Sequence, residues 1–234
     1  MLQNILKRLR SKIKSILSPR KGVLVYVGLH KGASFDAVFR AYEVCYGFEA
    51  NPELYKKLKK RFKKHSNVHI FNVAVTDQDG EIDFNISSNK GASSSVGQFR
   101  EDWVNFRSGE VRMIKTIRIP SINLLDFLQK RGVKHIESYV SDIQGMDLEV
   151  LKTLKPLIDN RQISDITCEV SKDEFGNIYK DVPENSESGF KQLLNENYEC
   201  VARGWGVLDD GEFNEVPEGS WEMDCKWRLR QSTL

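Results

Sequence analysis

The chain has 234 residues, of which 40% are hydrophobic and 29% charged, which is typical of a globular protein and excludes a disordered or fibrous one. Its short apolar runs exclude a membrane-spanning helix, and its four cysteines form no Cys-x-x-Cys pair, which favours a reducing, cytoplasmic location. Of the net charge of +2, residues 1–21 carry +7 and leave −5 for the body, which argues against broad nucleic-acid binding.

Residues 1–21 form a basic leader. Apolar residues recur in it at helical spacing, which predicts an amphipathic helix that ends at Ser18-Pro19. Its apolar stripe has several partners open to it: the body, a second subunit in a homodimer, or an anionic membrane that would make the protein membrane-peripheral through residues 1–18. Fraying and nucleic-acid contact are the remaining alternatives. Residues 22–234 are expected to form a single domain.

The segment that follows alternates between strand and helix patterns. Strands are predicted at residues 23–27, 44–48 and 68–75, and helices at residues 34–42 and from residue 51. Asn51 is the expected cap of the second helix, with Pro52 in its first turn. This β-α-β-α-β order is typical of a doubly wound sheet.

The middle of the chain has a different pattern. Residues 81–86 and 113–119 alternate between apolar and polar, which predicts two antiparallel or edge strands in an insertion above the sheet. The α/β alternation then returns. Helices are predicted at 122–129, 146–157 and 189–197, and strands at 136–141, 163–170, 198–203 and 222–229.

Four features lie at carboxyl ends of predicted strands, where open α/β sheets bind ligands. Gly28 and Gly32 follow strand one, where glycine lets a ligand approach the backbone. Glu49 ends strand two, where a carboxylate can accept hydrogen bonds from both ribose hydroxyls. Small residues at 72–77 leave room for a flat base, and Asp142 ends a later strand. The combination of Gly28, Gly32 and Glu49 predicts a nucleoside-bearing ligand, although tight turns, a solvated acid and helix caps explain the four features separately.

A resemblance to a known family runs from about residue 23 to residue 170. It rests on the ordered segments VLVYVGLHKG, YGFEANPELYKKLKKRF, VHIFNVAVTDQDGEIDF, GASSS, IPSINLLDFL, SDIQGMDLEVLKTL and ITCEV. These are similar to segments of the FkbM-type S-adenosylmethionine-dependent methyltransferases. The resemblance implies a Rossmann-like class I α/β fold: a doubly wound, mostly parallel seven-stranded sheet with an antiparallel last strand and a β-hairpin insertion.

The resemblance also implies S-adenosyl-L-methionine as the cofactor. It puts Glu49 on the ribose with Ala50 beside it, and Asp142 near the methionine end. Ala74 and Val75 would border the adenine. The implied cradle consists of Gly28, Leu29, His30, Lys31 and Gly32. The serine segment over the pocket is Ser93-Ser94-Ser95, of which Ser95 is the predicted cofactor contact.

Three positions depart from the family pattern. Tyr26 occupies the place of an acid that helps to hold the cofactor's ammonium group. His30 replaces an Asn in the glycine loop, and Gln144 replaces a Glu, although Asp147 keeps the second acid. These departures indicate either a subfamily or an inactive relative.

The implied reaction is methyl transfer to a hydroxyl of a small-molecule or carbohydrate acceptor. Glu169 is predicted as the base, with Asp142 as the second catalytic residue and His30 as another candidate. Asp142 and Glu169 without a third ligand are weak evidence for a divalent ion, so no metal is predicted. Two other functions stay open: a non-catalytic binding or scaffold protein, and a nicotinamide-dependent oxidoreductase, which the GxxxG spacing disfavours.

Overall fold

The computed structural model describes residues 19–207 and 213–231. The leader helix predicted for residues 1–18 therefore lies outside the described residues. None of the helices in the described ranges has both the length and the apolar composition that crossing a bilayer requires.

The first part of the chain alternates strands and helices as predicted. Its elements are β1 (Lys21–Val27), α1 (Ala33–Val38), β2 (Tyr42–Phe48), α2 (Pro52–Phe62) and β3 (Val68–Phe71). A 3-10 turn at Phe39–Ala41 follows α1, so the predicted helix 34–42 is shorter than expected. The Asn51 side chain accepts a hydrogen bond from Glu53 N at 3.0 Å, which is the predicted cap.

The insertion and the second half complete the fold. The insertion contains β4 (Ala74–Thr76), β5 (Gly80–Ser87), β6 (Gln98–Phe99), α3 (Glu101–Phe106) and β7 (Met113–Asn123). The second half contains α4 (Leu124–Gln129), β8 (Ile136–Ser141), α5 (Asp147–Thr153), α6 (Lys155–Asp159), β9 (Ile163–Ser171), β10 (Tyr179–Lys180), α7 (Glu187–Leu194), β11 (Tyr198–Val207), β12 (Phe213–Asn214) and β13 (Glu222–Leu229).

The central sheet has the order β12-β11-β13-β9-β8-β1-β2-β3. β1 pairs in parallel with β2 and β8, and β8 pairs in parallel with β9. β13 is antiparallel to both β9 and β11. The predicted class I sheet with an antiparallel last strand is confirmed, and the two-residue β12 adds an eighth strand at one edge.

Helices cover both faces of this sheet, as alternation along β1 shows. Leu24 and Tyr26 pack with residues of α1 and α2, whereas Val25 and Val27 pack with residues of α5 and α7. Because successive side chains of a strand point to opposite faces, β1 is buried on both sides. The carboxyl ends of its parallel neighbours are thereby held at one rigid edge.

The structure corrects the predicted third strand. Residues 68–75 do not form one strand, because β3 ends at Phe71 and β4 pairs with β7 in a separate sheet of order β4-β7-β5. The chain turns at Asn72, whose Nδ2 donates to the carbonyl oxygens of Glu49 and Ala50 at 2.8 and 3.1 Å. β5 and β7 pair antiparallel along their length, which confirms the hairpin insertion.

Three helix boundaries also differ from the predictions. β7 continues to Asn123, so α4 begins at Leu124 rather than at residue 122. The predicted helix 146–157 is two helices that meet at Leu154, because Pro156 has no N–H to donate to the preceding turn. α7 begins earlier than predicted, since Ser186 caps it by accepting a hydrogen bond from Gly189 N.

Candidate functional site

An open cavity of about 160 Å³ lies at the carboxyl ends of β1, β2 and β8. It is the edge at which the sequence predicts ligand binding. Its walls combine apolar side chains with two carboxylates from different loops. The predicted cofactor residues that line it are Gly28, His30, Glu49, Ala50, Ala74, Val75 and Asp142.

The other predicted cofactor residues do not line this cavity. Leu29 is buried beneath the loop, where its side chain packs against Gly47. Lys31 is exposed to solvent, and Gly32 packs on Leu58 and Phe62 of α2. Leu29 and Gly32 therefore pack against neighbouring elements, and direct cofactor contact by the three residues stays a prediction.

The serine segment is close to the cavity, but not through the predicted residue. Ser95 is fully buried, and its Oγ donates to the carbonyl oxygen of Gln144 at 2.6 Å. Ser94, one residue earlier, lines the cavity together with Gly91 and Ala92. The segment 91–96, here called the roof of the cavity, contributes Gly91, Ala92, Ser94 and Val96 to the lining. Ser95 joins this roof to the loop after β8.

Gly28 brings the loops after β1 and β8 into contact. Its φ is +84°, and a Cβ atom at this position would lie 1.9 Å from the carbonyl oxygen of Asp142. Neither the backbone conformation nor the available space admits a side chain. The glycine is therefore required by the packing of the two loops, in addition to any approach of a ligand.

Glu49 is a buried carboxylate at the cavity wall. Its Oε2 accepts a hydrogen bond from His30 N at 2.6 Å, and its Oε1 accepts one from Asn51 N at 2.8 Å. Burial raises the pKa of this carboxyl to about 7, although the two hydrogen bonds favour the charged form. Each oxygen keeps a second lone pair that can accept a hydrogen bond from a ligand hydroxyl.

Gln144 joins the two predicted catalytic carboxyls. Its Nε2 donates to Asp142 Oδ1 at 2.6 Å and to Glu169 Oε2 at 2.7 Å, and its Oε1 accepts from the hydroxyl of Tyr179 at 2.6 Å. Its backbone lies in the left-handed region, with φ +59°. In the sequence, Gln144 stands only as the replacement of an acid, and this bridging role has no local signal because its partner Tyr179 lies 35 residues further along the chain.

Glu169 does not line the cavity. It is buried, and Gln144 stands between its carboxyl and the cavity, so the structure does not bring the predicted base into direct reach of a bound molecule. Asp142 does line the cavity, and desolvation by the surrounding protein raises the pKa of its carboxyl. His30 also lines it, and burial lowers the pKa of the imidazole, which is therefore mainly neutral at pH 7.

Further carboxyls lie near Asp142 and Glu169. Burial, followed by repulsion from Asp142, raises the pKa of Glu222 to about 8 and that of Asp224 to about 7. Asp147 is fully buried with its pKa raised to about 7, and it accepts hydrogen bonds from Ser141 Oγ and Ile143 N. Within the described part of the chain, no group of three or more His, Cys, Asp or Glu residues is arranged to hold a metal ion.

Tyr26, which stands where the family pattern has an acid, does not fill the cavity. Its ring packs edge-on against Phe35 of α1, with ring centroids 5.6 Å apart, in the cluster on the α1–α2 face of the sheet. Apolar side chains form much of the cavity wall. These are Val27, Phe48, Val73, Val75, Phe84 and Val96.

Comparison with known proteins gives one family match. The model of the "Methyltransferase FkbM domain" matches residues 27–196. No curated protein matches the chain.

Similar solved structures are distant. The METTL16 MTase domain is 10% identical, with 98% of this chain and 68% of that chain covered and a TM-score of 0.47. M. capricolum TrmK in complex with S-adenosyl-homocysteine is 10% identical, with coverages of 95% and 68% and a TM-score of 0.45. The N-methyltransferase NodS from Bradyrhizobium japonicum WM9 is 12% identical, with coverages of 99% and 100% and a TM-score of 0.43. Likenesses of this size carry no conclusion about the acceptor.

Proposed function

The chain belongs to the FkbM family of methyltransferases, and from this premise we propose that it transfers a methyl group from S-adenosyl-L-methionine to a hydroxyl group of a small molecule or glycan. One observation carries the proposal. The carboxylates of Glu49 and Asp142, from the ends of two different strands, flank the Gly28 turn in a single cavity.

The residues of the cavity fit this cofactor. Glu49 offers acceptor lone pairs to a ribose diol. The part of the cavity beside Val75 and Phe84 has the apolar walls that a flat base requires. Asp142 supplies negative charge for the positively charged end of the molecule. When bound, S-adenosylmethionine supplies an activated methyl group on a sulfur that departs as a neutral sulfide.

The remaining chemistry belongs to the chain's own side chains. A base that accepts the hydroxyl proton has to face the cavity, which Asp142 and His30 do. Glu169 is a positioning residue in this proposal, because its carboxyl anchors Gln144, and Gln144 in turn anchors Asp142. The enzyme's main task is to align donor and acceptor, since the leaving group needs no activation.

Calorimetric titration with S-adenosylhomocysteine tests the cofactor part of the proposal. Glu49→Gln keeps the shape of the side chain but removes its charge, and loss of one charge-assisted hydrogen bond is expected to weaken binding about ten- to a hundredfold. Glu53→Gln, at an exposed position in the first turn of α2, is the matched control and should bind as the wild type does.

Two outcomes would contradict this part. A folded wild-type protein that does not bind S-adenosylhomocysteine at millimolar concentration is not using this cofactor. Equal affinity in Glu49→Gln and the wild type would put the ribose elsewhere. Because Glu49 also accepts two backbone hydrogen bonds, thermal unfolding of each variant should accompany the titration.

The acceptor class needs a separate measurement. Transfer of a labelled methyl group should be assayed against a panel of hydroxyl-bearing small molecules and oligosaccharides, with amines as the contrast. Methylation of hydroxyl acceptors is the expected result, and transfer to amines alone would refute O-methylation while leaving the cofactor assignment intact.

A further inference from the structure

Helix α2 and its C-terminal flank carry a large unbalanced positive charge. Residues 52–64 contain seven lysines and arginines and one acid, Glu53, which gives +6. Since residues 22–234 together carry −5, the rest of that body carries −11. The net charge of residues 52–64 is therefore opposite in sign to that of the rest of the body.

The lysines of this segment share one surface. Side chains of a helix turn about 100° per residue, so residues opposite a buried stripe face outward together. The buried stripe of α2 consists of Leu54, Leu58 and Phe62. The exposed side opposite to it, here called the α2 lysine face, consists of Lys56, Lys57, Lys59, Lys60, Lys63 and Lys64.

The α2 lysine face is not neutralised by the described parts of the chain. Arg61 pairs with Asp36 at 2.7 Å, but none of the six lysines forms a salt bridge with another described residue. The helix dipole favours bases in the last turn, yet like charges at i,i+4, such as Lys56 and Lys60, repel each other. An extended anionic partner would relieve this repulsion.

The same surface extends to the rim of the cavity. A Cβ atom on Gly91 would lie 3.2 Å from Asn51 Nδ2, so the loop that carries the exposed Lys90 lies against the N-terminal end of α2. His30 Nε2 lies 3.4 Å from the Lys90 carbonyl oxygen at the cavity wall. The exposed Lys31 adds a base on the other side, where its carbonyl oxygen accepts a hydrogen bond from Arg61.

We propose that the α2 lysine face docks the protein on an anionic membrane surface and thereby brings the cavity rim to the lipid headgroups. A membrane surface is recognised by charge alone, for which flexible lysines suffice. Recognition of nucleic-acid bases uses arginine forks and stacking on aromatic rings. The six lysines provide neither, and the neighbouring Arg61 is engaged by Asp36 and by the Lys31 carbonyl oxygen. The basic leader predicted from the sequence carries charge of the same sign.

Vesicle co-sedimentation of the full chain tests the proposal. Vesicles of phosphatidylcholine are compared with vesicles in which part of it is replaced by phosphatidylserine. The wild type should sediment only with the anionic vesicles, and less as salt is raised. The triple variant Lys56→Gln, Lys60→Gln, Lys63→Gln should partition about a hundredfold more weakly, or roughly fivefold for each lysine removed.

The matched control is Lys115→Gln, Lys134→Gln, Lys180→Gln, which removes the same charge from three exposed lysines elsewhere. It should sediment as the wild type does. Unchanged sedimentation of the α2 triple variant, or equal losses in both triple variants, would overturn the proposal. The proposal would also be overturned if the protein did not bind anionic vesicles but did bind a single-stranded oligonucleotide through the α2 lysines.

The proposal does not rest on the methyltransferase assignment. S-adenosylhomocysteine affinity, measured on the same preparations, reports on the cavity and should be the same in both triple variants and the wild type. Loss of vesicle binding with retained S-adenosylhomocysteine binding supports the docking surface. Failure of the two proposals is thus distinguishable.

Discussion

At the scale of single residues, the backbone of Gly28 controls how the two main loops of the site meet. Its positive φ is one requirement and its contact with the Asp142 carbonyl oxygen is a second. Gly132 meets only the first requirement, since it has φ +68° but no atom within 4 Å of a Cβ position. Comparison of the two glycines therefore separates the cost of backbone strain from the cost of steric overlap.

Alanine substitutions at these two glycines should differ in cost. Gly132→Ala should lower the free energy of unfolding by roughly 1 kcal/mol, the cost of a left-handed alanine. Gly28→Ala should lower it by roughly 1–3 kcal/mol more, because the loops have to move apart. Urea unfolding measures both, and equal losses would show that the Asp142 contact yields without cost.

Residue identity alone was a poor guide to Gln144. Read in isolation, it is the replacement of an acid by an amide and indicates decay of the site. In the structure, an amide is the side chain that can donate to two carboxyls and accept from Tyr179 at the same time. Whether a departure from a family pattern weakens a site depends on the residues around it in space, and these lie far away in the sequence.

At the scale of elements, one buried side chain of the insertion holds the roof of the cavity in place. Asn85 of β5 donates from Nδ2 to the carbonyl oxygens of Val96 and Gly97, both at 3.1 Å. Its Oδ1 accepts from Gln98 Nε2 and Thr116 Oγ1. All four hydrogen-bonding positions are used, so Asn85 fastens the segment that carries Val96 to the β5–β7 hairpin.

Asn85→Ala should therefore loosen the roof. The expected result is S-adenosylhomocysteine affinity about five- to tenfold lower and a free energy of unfolding roughly 1–3 kcal/mol lower, since buried polar partners lose their bonds. Titration calorimetry and urea unfolding measure the two effects. Asn160→Ala removes an exposed amide whose Nδ2 bonds to the Pro156 carbonyl oxygen, and it should leave affinity unchanged. Equal affinities in all three proteins would refute a role for the roof.

Predictions from sequence were more reliable for the existence of elements than for their partners. Residues 68–75 are mostly apolar and rich in β-branched side chains, which predicts one strand. The break at Asn72 comes from hydrogen bonds to Glu49 and Ala50, which are more than twenty residues earlier. By contrast, the cap at Asn51 was predictable because cap and helix are adjacent in the chain.

At the scale of the whole molecule, the carboxyl edge of the sheet gathers buried acids from distant segments. Asp142 follows β8 at the cavity wall, and the buried acids near it are Glu169 in β9, Glu222 in β13 and Asp147 at the start of α5. No described residue makes a hydrogen bond to Glu222 Oε1, which is buried. Charged Glu222 therefore lowers the free energy of unfolding, and the size of this effect depends on pH.

The stability of the ligand-free protein should fall as pH rises from about 4.5 to about 8. Burial raises the pKa of Glu222 from 4.5 to about 8, so the folded protein holds a proton there that the unfolded chain releases. Its contribution is present below pH 4.5 and is lost as pH rises through 8. Glu222→Gln should weaken this trend and be roughly 1–3 kcal/mol more stable than the wild type at pH 8.

Urea unfolding at pH 5 and pH 8 measures the effect. Glu218→Gln is the control, because Glu218 is exposed and close in sequence, and it should follow the wild type at both pH values. A wild type and a Glu222→Gln variant with the same loss of stability between pH 5 and pH 8 would show that Glu222 is not a source of the trend.

The sequence by itself determined the class of fold, the order of most elements and the edge of the sheet at which the cavity lies. Periodicity, caps and glycine turns act within a few residues, so they can be read locally. Only the tertiary structure decided that Gln144 bridges Asp142 and Glu169, that Glu169 lies behind the cavity, and that Tyr26 faces away from it. Those outcomes depend on the register between strands and on side chains brought together from distant positions, and local patterns carry no record of either.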